Sequence, residues 1–279
     1  MSSSQLPLTS CLETAVNAAH AAAAILQSHA HRRSDLVISK KKLNDLVSQA
    51  DHDAEEAIIE ILRANTPEMG IVAEETGGLP SGAASWYIDP LDGTTNFLHA
   101  LPHYAVSIAL VAHADARITG EQILTHDTPV IAVVYDPVRE EMFTAMYGVG
   151  AWLNGTRIQC SNTDTMAESL LATGLPFRDF SFEAQYTPTL HHAMHNSRGV
   201  RRFGSAALDL AWVACGRFDG YWEMDLAPWV VAAGTLLVRE AGGVCEDMHH
   251  ADPWPEKGFI YACNTHIAPE LDAMIRPHL

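Results

Sequence analysis

Apolar residues recur with helical spacing over residues 12–26, and Thr9 or Ser10 just before them can serve as N-cap. A second amphipathic period covers residues 49–62 and ends at Asn65-Thr-Pro67. Two helices therefore open the chain. Short apolar runs then replace the helical period: residues 71–73, 86–88, 104–111, 130–135 and 141–146 read as strands. The last two flank Asp136-Pro-Val-Arg139, a turn-forming stretch that predicts a hairpin. The polar segment 114–128, which contains Gly120, reads as a long exposed hairpin connection. The helical period returns over residues 206–215 and 227–241, with Gly216 and Gly242 as stops. Strands and helices mix throughout, with no internal repeat and no low-complexity linker. A layered α/β or α+β sandwich fits this order better than an all-α or all-β fold.

Charge narrows the partners. The 279 residues carry 17 Lys and Arg against 34 Asp and Glu, a formal net charge of −17. A field of this sign opposes approach to a nucleic-acid backbone or an anionic leaflet, so neither direct nucleic-acid binding nor membrane attachment is expected. A small anion can bind only where cations invert the local field. The alanine-rich stretch is broken by Asn17 and His20 and falls short of the ~20 apolar residues of a membrane span. The start, Met1-Ser-Ser-Ser-Gln5, lacks the basic region of a secretory leader, so a cytoplasmic protein is expected. The five cysteines lie far apart without a Cys-x-x-Cys, which predicts buried reduced thiols.

The chemistry concentrates in Trp86-Tyr-Ile-Asp-Pro-Leu-Asp-Gly-Thr-Thr-Asn-Phe97. An apolar strand runs into Asp89 and Asp92, Pro90 fixes φ between them, and Gly93-Thr94-Thr95 opens a helix. Two carboxylates three positions apart can share hard divalent cations, since Mg²⁺ takes a few carboxylate oxygens and keeps its other positions for water or phosphate. Taken alone, Asp-Pro-x-Asp-Gly is also ordinary turn chemistry. Upstream, however, a second apolar strand ends in Glu74 and Glu75, and Asp51 precedes both. Downstream, Gly220-Tyr-Trp-Glu223 ends a strand, and Trp229-Val230 opens the helix that runs to Glu240-Ala-Gly-Gly243.

With these motifs the chain resembles the inositol monophosphatase family, especially its bacterial branch, over residues 12–275 with an apparent insertion at 114–128. The resemblance implies a single domain over 1–279, an αβαβα sandwich of two closely packed α/β halves meeting near residues 150–165. It implies a homodimer, dependence on two or three Mg²⁺ ions, inhibition by Li⁺, and hydrolysis of small phosphate monoesters such as myo-inositol 1-phosphate. By the same resemblance, Glu74, Asp89 and the Leu91 carbonyl hold a first metal, and Asp89 and Asp92 a second. Asp51 and Glu74 are then water-mediated partners of a weaker third, and Lys40 matches a basic position near the phosphate. The amides of Gly93 and Thr94 take phosphate oxygens, while Asp92, Ala206 and Glu223 meet the hydroxyls of the leaving alcohol. The resemblance also makes Glu74, Thr94 and Asp51 the catalytic residues, with Glu74 and the Thr94 hydroxyl orienting the attacking water.

One position departs from the family pattern. Where the family has Trp-Asp, this chain has Trp229-Val230, and valine offers no ligand atom to the second metal. Asp225 lies just beyond the preceding strand, on the far side of Pro228, and is not expected to replace it. Reduced catalysis is therefore expected. The alternative is an impaired family member that binds the transcription or RNA-processing machinery, as some bacterial relatives do. His191, His192 and His195 lack a carboxylate companion and read as solvated. Gly148-Val-Gly150 reads as a turn and His249-His250 as surface. Arg201 and Arg202 are placed equally well at the substrate, at a partner or in a surface salt bridge.

Overall fold

The computed structural model describes residues 5–31, 38–42, 45–118, 122–176 and 179–279, with the backbone alone over 38–42 and 45–47. Helix α1 (Leu8–Ala30) buries Cys11, Ala15, Ala18, Ala19, Ala22 and Leu26 along one stripe. After the antiparallel pair β1 (Ile38–Lys42) and β2 (Asp45–Ser48), helix α2 (Gln49–Asn65) buries Ala50, Ala54, Ile58 and Leu62 at intervals of one turn. The alanines let the two helices approach closely.

Seven strands form the first sheet: β3 (Gly70–Ala73), β4 (Ala84–Asp92), β5 (Ala105–Ala112), β6 (Thr128–Asp136), β7 (Glu141–Met146), β8 (Gly150–Leu153) and β9 (Thr156–Arg157). They lie in sequence order; β3 and β4 are parallel and every later pair is antiparallel. The short helix α3 (Thr94–Leu98) interrupts the β4–β5 connection. The second sheet has the order β11-β10-β12-β14-β13, built from β10 (Leu170–Thr173), β11 (Gly199–Arg201), β12 (Gly220–Glu223), β13 (Val244–Asp247) and β14 (Ile260–Cys263). The helices α4 (Glu183–Asn196), α5 (Ala206–Ala214), α6 (Pro228–Glu240) and α7 (Ala268–Ile275) complete the chain.

Three cores separate five layers. Trp86, Ile88, Leu110 and Val133 face α1 and α2, whereas Tyr87, Ala109 and Val134 face α5 and α6 on the other side of the first sheet. Strands β4 to β6 are thus buried on both faces, which is why they read as unbroken apolar runs. Helices α5 and α6 also pack against the second sheet, whose far face meets α4 and α7 through Tyr186, Trp222, Leu271 and Met274. This is the αβαβα sandwich expected. Among the described residues, no helix is long and apolar enough to cross a membrane.

Two local expectations fail. Helix α1 starts at Leu8, with Pro7 at the N-cap and no side-chain cap, so neither Thr9 nor Ser10 fills that position. Ser10 instead donates to the Pro7 carbonyl at 3.0 Å, and burial of Leu6 and Leu8 sets the helix start. The connection from β5 to β6 is not simply exposed either. Ala116, Ile118 and Leu124 are buried in the first core, and the Leu6 amide donates to the Arg117 carbonyl at 3.0 Å.

Candidate active site

The floor of the site is a break in strand pairing. Strand β4 pairs with β5 as far as Asp89 opposite Ser107 and resumes at Asp92 opposite Ala105, so the β4 side carries one extra residue. Pro90, which has no N–H to give the ladder, sits in this bulge. The Leu91 amide donates to Asp89 Oδ1 at 3.0 Å, which fixes the carboxylate against its own loop. Gly93 follows with φ +98°, and a Cβ there would lie 3.1 Å from the His103 carbonyl oxygen and 3.3 Å from that of Gly204. Both the torsion and the close approach call for glycine. The Asn96 amide then ties α3 to the other half of the molecule, donating to the His103 and Phe203 carbonyls at 2.8 Å each.

Glu74 is set by its neighbours. Glu55, 1% exposed, accepts the Glu75 amide at 2.7 Å and the Thr76 amide at 2.8 Å, clamping the turn that carries Glu74. The Glu74 amide donates to the Ile88 carbonyl at 3.1 Å, which brings its carboxyl to hydrogen-bond Asp89. Burial, followed by the charges of Glu74 and Asp92, holds the Asp89 carboxyl well above the usual carboxylate range. Asp92 is buried as well, and its Oδ2 accepts the Ser205 hydroxyl at 2.6 Å and the Ala207 amide at 2.8 Å. It thereby caps α5. The Thr94 hydroxyl oxygen lies 3.1 Å from the Leu91 carbonyl and 3.2 Å from Asp51 Oδ1. Asp51 Oδ2 accepts the Ser48 amide at 2.9 Å and hydroxyl at 2.7 Å in a capping box. Burial raises the Asp51 carboxyl and these hydrogen bonds counter it.

Opposite this floor stands a wall from the second sheet. Tyr221, fully buried, donates its hydroxyl to Glu223, and a Cβ on Gly174 would fall 1.8 Å from Glu223 Oε1, so the carboxylate lies directly over that glycine. Floor and wall enclose a cavity of about 590 Å³. Glu74, Asp89, Leu91, Asp92, Gly93, Thr94, Ala206 and Glu223 all line it. Asp51 does not; it stands behind Thr94. Lys40 falls on β1, and its side chain lies outside the described residues. Arg202 and Val230 are on the wall, and so is Asp225, at φ +65°, in spite of Pro228. Of the described residues that line the cavity, seven are acidic (Glu74, Asp89, Asp92, Asp179, Asp209, Glu223 and Asp225) and Arg202 alone is basic.

Such a wall suits a hard cation. Among the described residues, no group of three His, Cys, Asp or Glu side chains could by itself hold a metal ion. Asp92 explains this in part, because Ser205 and Ala207 engage one of its oxygens. The pair of half-buried Glu74 and buried Asp89 nevertheless fits Mg²⁺, which needs only one or two carboxylates and completes its shell with water and substrate phosphate.

A sequence profile of the inositol monophosphatase family matches residues 8–278. The chain belongs to the inositol monophosphatase family. It is 39% identical over 270 residues to the "Nus factor SuhB" of Pasteurella multocida, covering 96% of each chain. It is 42% identical over 244 residues, 87% of each chain, to an inositol-1-monophosphatase of Rhizobium meliloti. The crystal structure of the extragenic suppressor protein suhB from Bartonella henselae superposes with a TM-score of 0.87 at 37% identity, over 97% of this chain and 100% of that one. Inositol monophosphatase family membership supports a metal-dependent phosphatase. Within that family fold, Glu55, Gly174, Tyr221 and Asp209 also shape the cavity, and sequence reading missed all four. Only Asp209 left a signal, as a lone carboxylate in the otherwise apolar helix α5.

Proposed function

We propose that this chain is a Mg²⁺-dependent phosphomonoesterase that hydrolyses myo-inositol monophosphate or a similar small polyol phosphate. The observation that carries the reading is the meeting, in one cavity, of the Glu74–Asp89 pair, Asp92 and Thr94 with the Glu223 wall. Glu74, Asp89 and the Leu91 carbonyl would hold a first Mg²⁺, Asp89 and Asp92 a second, and Glu74 and Asp51 a weaker third; such ions would acidify a water and neutralise phosphate charge. Thr94, its hydroxyl oxygen fixed against Asp51, and Glu74 together orient the attacking water. The Gly93 and Thr94 amides receive phosphate oxygens. Asp92, Ala206 and Glu223 receive the hydroxyls of the leaving alcohol. Val230 contributes no oxygen, so the second site binds weakly and a high Mg²⁺ concentration is required. A phosphate-release panel under Mg²⁺ titration tests this: activity rises with Mg²⁺ and falls with Li⁺, and release that stays at background over the whole range refutes it. The reading includes a homodimer, for which sedimentation is expected to give about twice the chain mass of 30.4 kDa; a monomer mass would refute that part.

A second reading has its own support. Several relatives are named Nus factor SuhB, and Val230 removes a metal ligand. On this reading the chain binds a protein of the transcription or RNA-processing machinery. Capture of purified transcription-complex components by the immobilised chain supports it; capture of none refutes it.

A further inference from the structure

We propose that Asp209 is a specificity-determining residue of the cavity, an acceptor for a hydroxyl of the leaving alcohol on the wall it shares with Glu223. This rests on the phosphomonoesterase reading. Asp209 is the fourth residue of α5, whose other buried positions are Ala206, Ala207, Leu208, Leu210, Ala211, Val213 and Ala214. Its side chain is 1% exposed and the residue lines the cavity, and among the described residues its Oδ1 has no hydrogen-bond partner. A buried oxygen left unsatisfied destabilises a fold by roughly 1–3 kcal/mol, so such a group calls for an explanation.

The fold does not supply one. The Asp209 amide makes the ordinary helical bond to the Ser205 carbonyl at 2.9 Å. Ser205, the residue placed to cap α5, gives its hydroxyl to Asp92 instead. Asp92, not Asp209, takes the Ala207 amide at the start of α5. Burial, followed by the charges of Glu223 and Asp92, raises the Asp209 carboxyl, with Arg202 acting in the opposite sense. This part of the wall is acceptor-rich, and it favours an uncharged group that brings several O–H donors. A second phosphate on the substrate would meet Asp209, Glu223, Asp179 and Asp225 with Arg202 as the only described counter-charge. The leaving group favoured here is one whose hydroxyls meet these acceptors.

The test compares the wild type with Asp209→Ala and Asp209→Asn, using myo-inositol 1-phosphate and p-nitrophenyl phosphate, whose leaving group has no further hydroxyl. Thermal melts are recorded without ligand. Asp209→Ala is expected to melt at or above the wild type, because it removes an unpartnered buried oxygen. Its selectivity, the ratio of kcat/KM for the polyol ester to that for the aryl ester, is expected to fall about tenfold, carried by KM. Asp209→Asn, which keeps an acceptor oxygen, retains most of the selectivity. An alanine variant that melts several degrees lower, or fails to fold, shows that the carboxyl serves the fold and overturns the inference. So does a selectivity ratio within twofold of wild type while the wild type is active. A wild type that releases phosphate from neither ester overturns the phosphatase reading and this inference with it.

Discussion

Gly174→Ala isolates the contribution of one wall contact. Gly174 follows β10 and is not in the left-handed region, so alanine meets no backbone penalty there. The added Cβ would lie 1.8 Å from Oε1, 1.9 Å from Cδ and 2.1 Å from Oε2 of Glu223. Ordinary contact begins near ~3.5 Å, so the carboxylate must retreat by well over an ångström. That movement breaks the Tyr221 hydrogen bond and takes the Glu223 oxygens away from the alcohol half of a substrate. A hydrogen bond to a charged group contributes roughly 1.5–3 kcal/mol, equivalent to about a ten- to hundredfold loss in kcat/KM. The contact is to the alcohol rather than to the reacting phosphate, so the loss is expected in KM, with kcat nearly unchanged. Steady-state phosphate release from myo-inositol 1-phosphate measures it. The double variant Gly174→Ala with Glu223→Asp, whose shorter side chain fits under the new methyl, recovers part of the loss. A KM within twofold of wild type for Gly174→Ala would refute the assignment of Glu223 to the alcohol.

Three further predictions concern the supporting structure. Glu55→Gln loses the charge that clamps the Glu75 and Thr76 amides; urea unfolding is expected to show a loss of about 1.5–3 kcal/mol, and half-saturation of activity to need more Mg²⁺. Unchanged values for both would show that the clamp does not position Glu74. Val230→Asp restores a carboxylate to the wall, so the Mg²⁺ requirement should drop and turnover rise; behaviour identical to wild type contradicts the account of the second metal site. His103 is buried against Phe203 and Trp212, and burial, followed by the Arg139 charge, lowers its pKa from about 6.5 to about 4. The unfolded chain takes up this proton first. The stability from keeping His103 neutral is therefore fully present above pH ~6.5 and lost as pH falls towards about 4. Denaturant midpoints across that window should decline less steeply for His103→Phe; equal slopes would reject the assignment.

Much of the fold is legible along the chain. Helix α2 and strands β3 to β7 fall where periodicity puts them, because each buries a regular face or, in β4 to β6, both faces. Helix α4 escaped notice because Pro188 sits inside it and only Tyr186, Thr189 and Ala193 are buried. Strands β10, β13 and β14 are four residues each, too short to display a period. In the site, Asp89 and Asp92 stood out because their motif is local. Glu55 and Gly174 did not, since each acts on a group 20 or more positions away, Glu55 on the Glu75 and Thr76 amides and Gly174 on Glu223.

The sequence by itself determined the layered class, the family and the order of acidic strand ends, because burial periodicity and short motifs are properties of neighbouring residues. Tertiary structure decided which of those acids share a cavity. It put Asp51 behind Thr94 as a helix cap and brought Asp225 onto the wall beside Val230. It also left Asp209 Oδ1 without a hydrogen-bond partner among the described residues, in the cavity that Glu223 lines. The reason is geometric: β4 and β12 lie in different sheets with α5 and α6 packed between them, and no local pattern specifies distances across three layers.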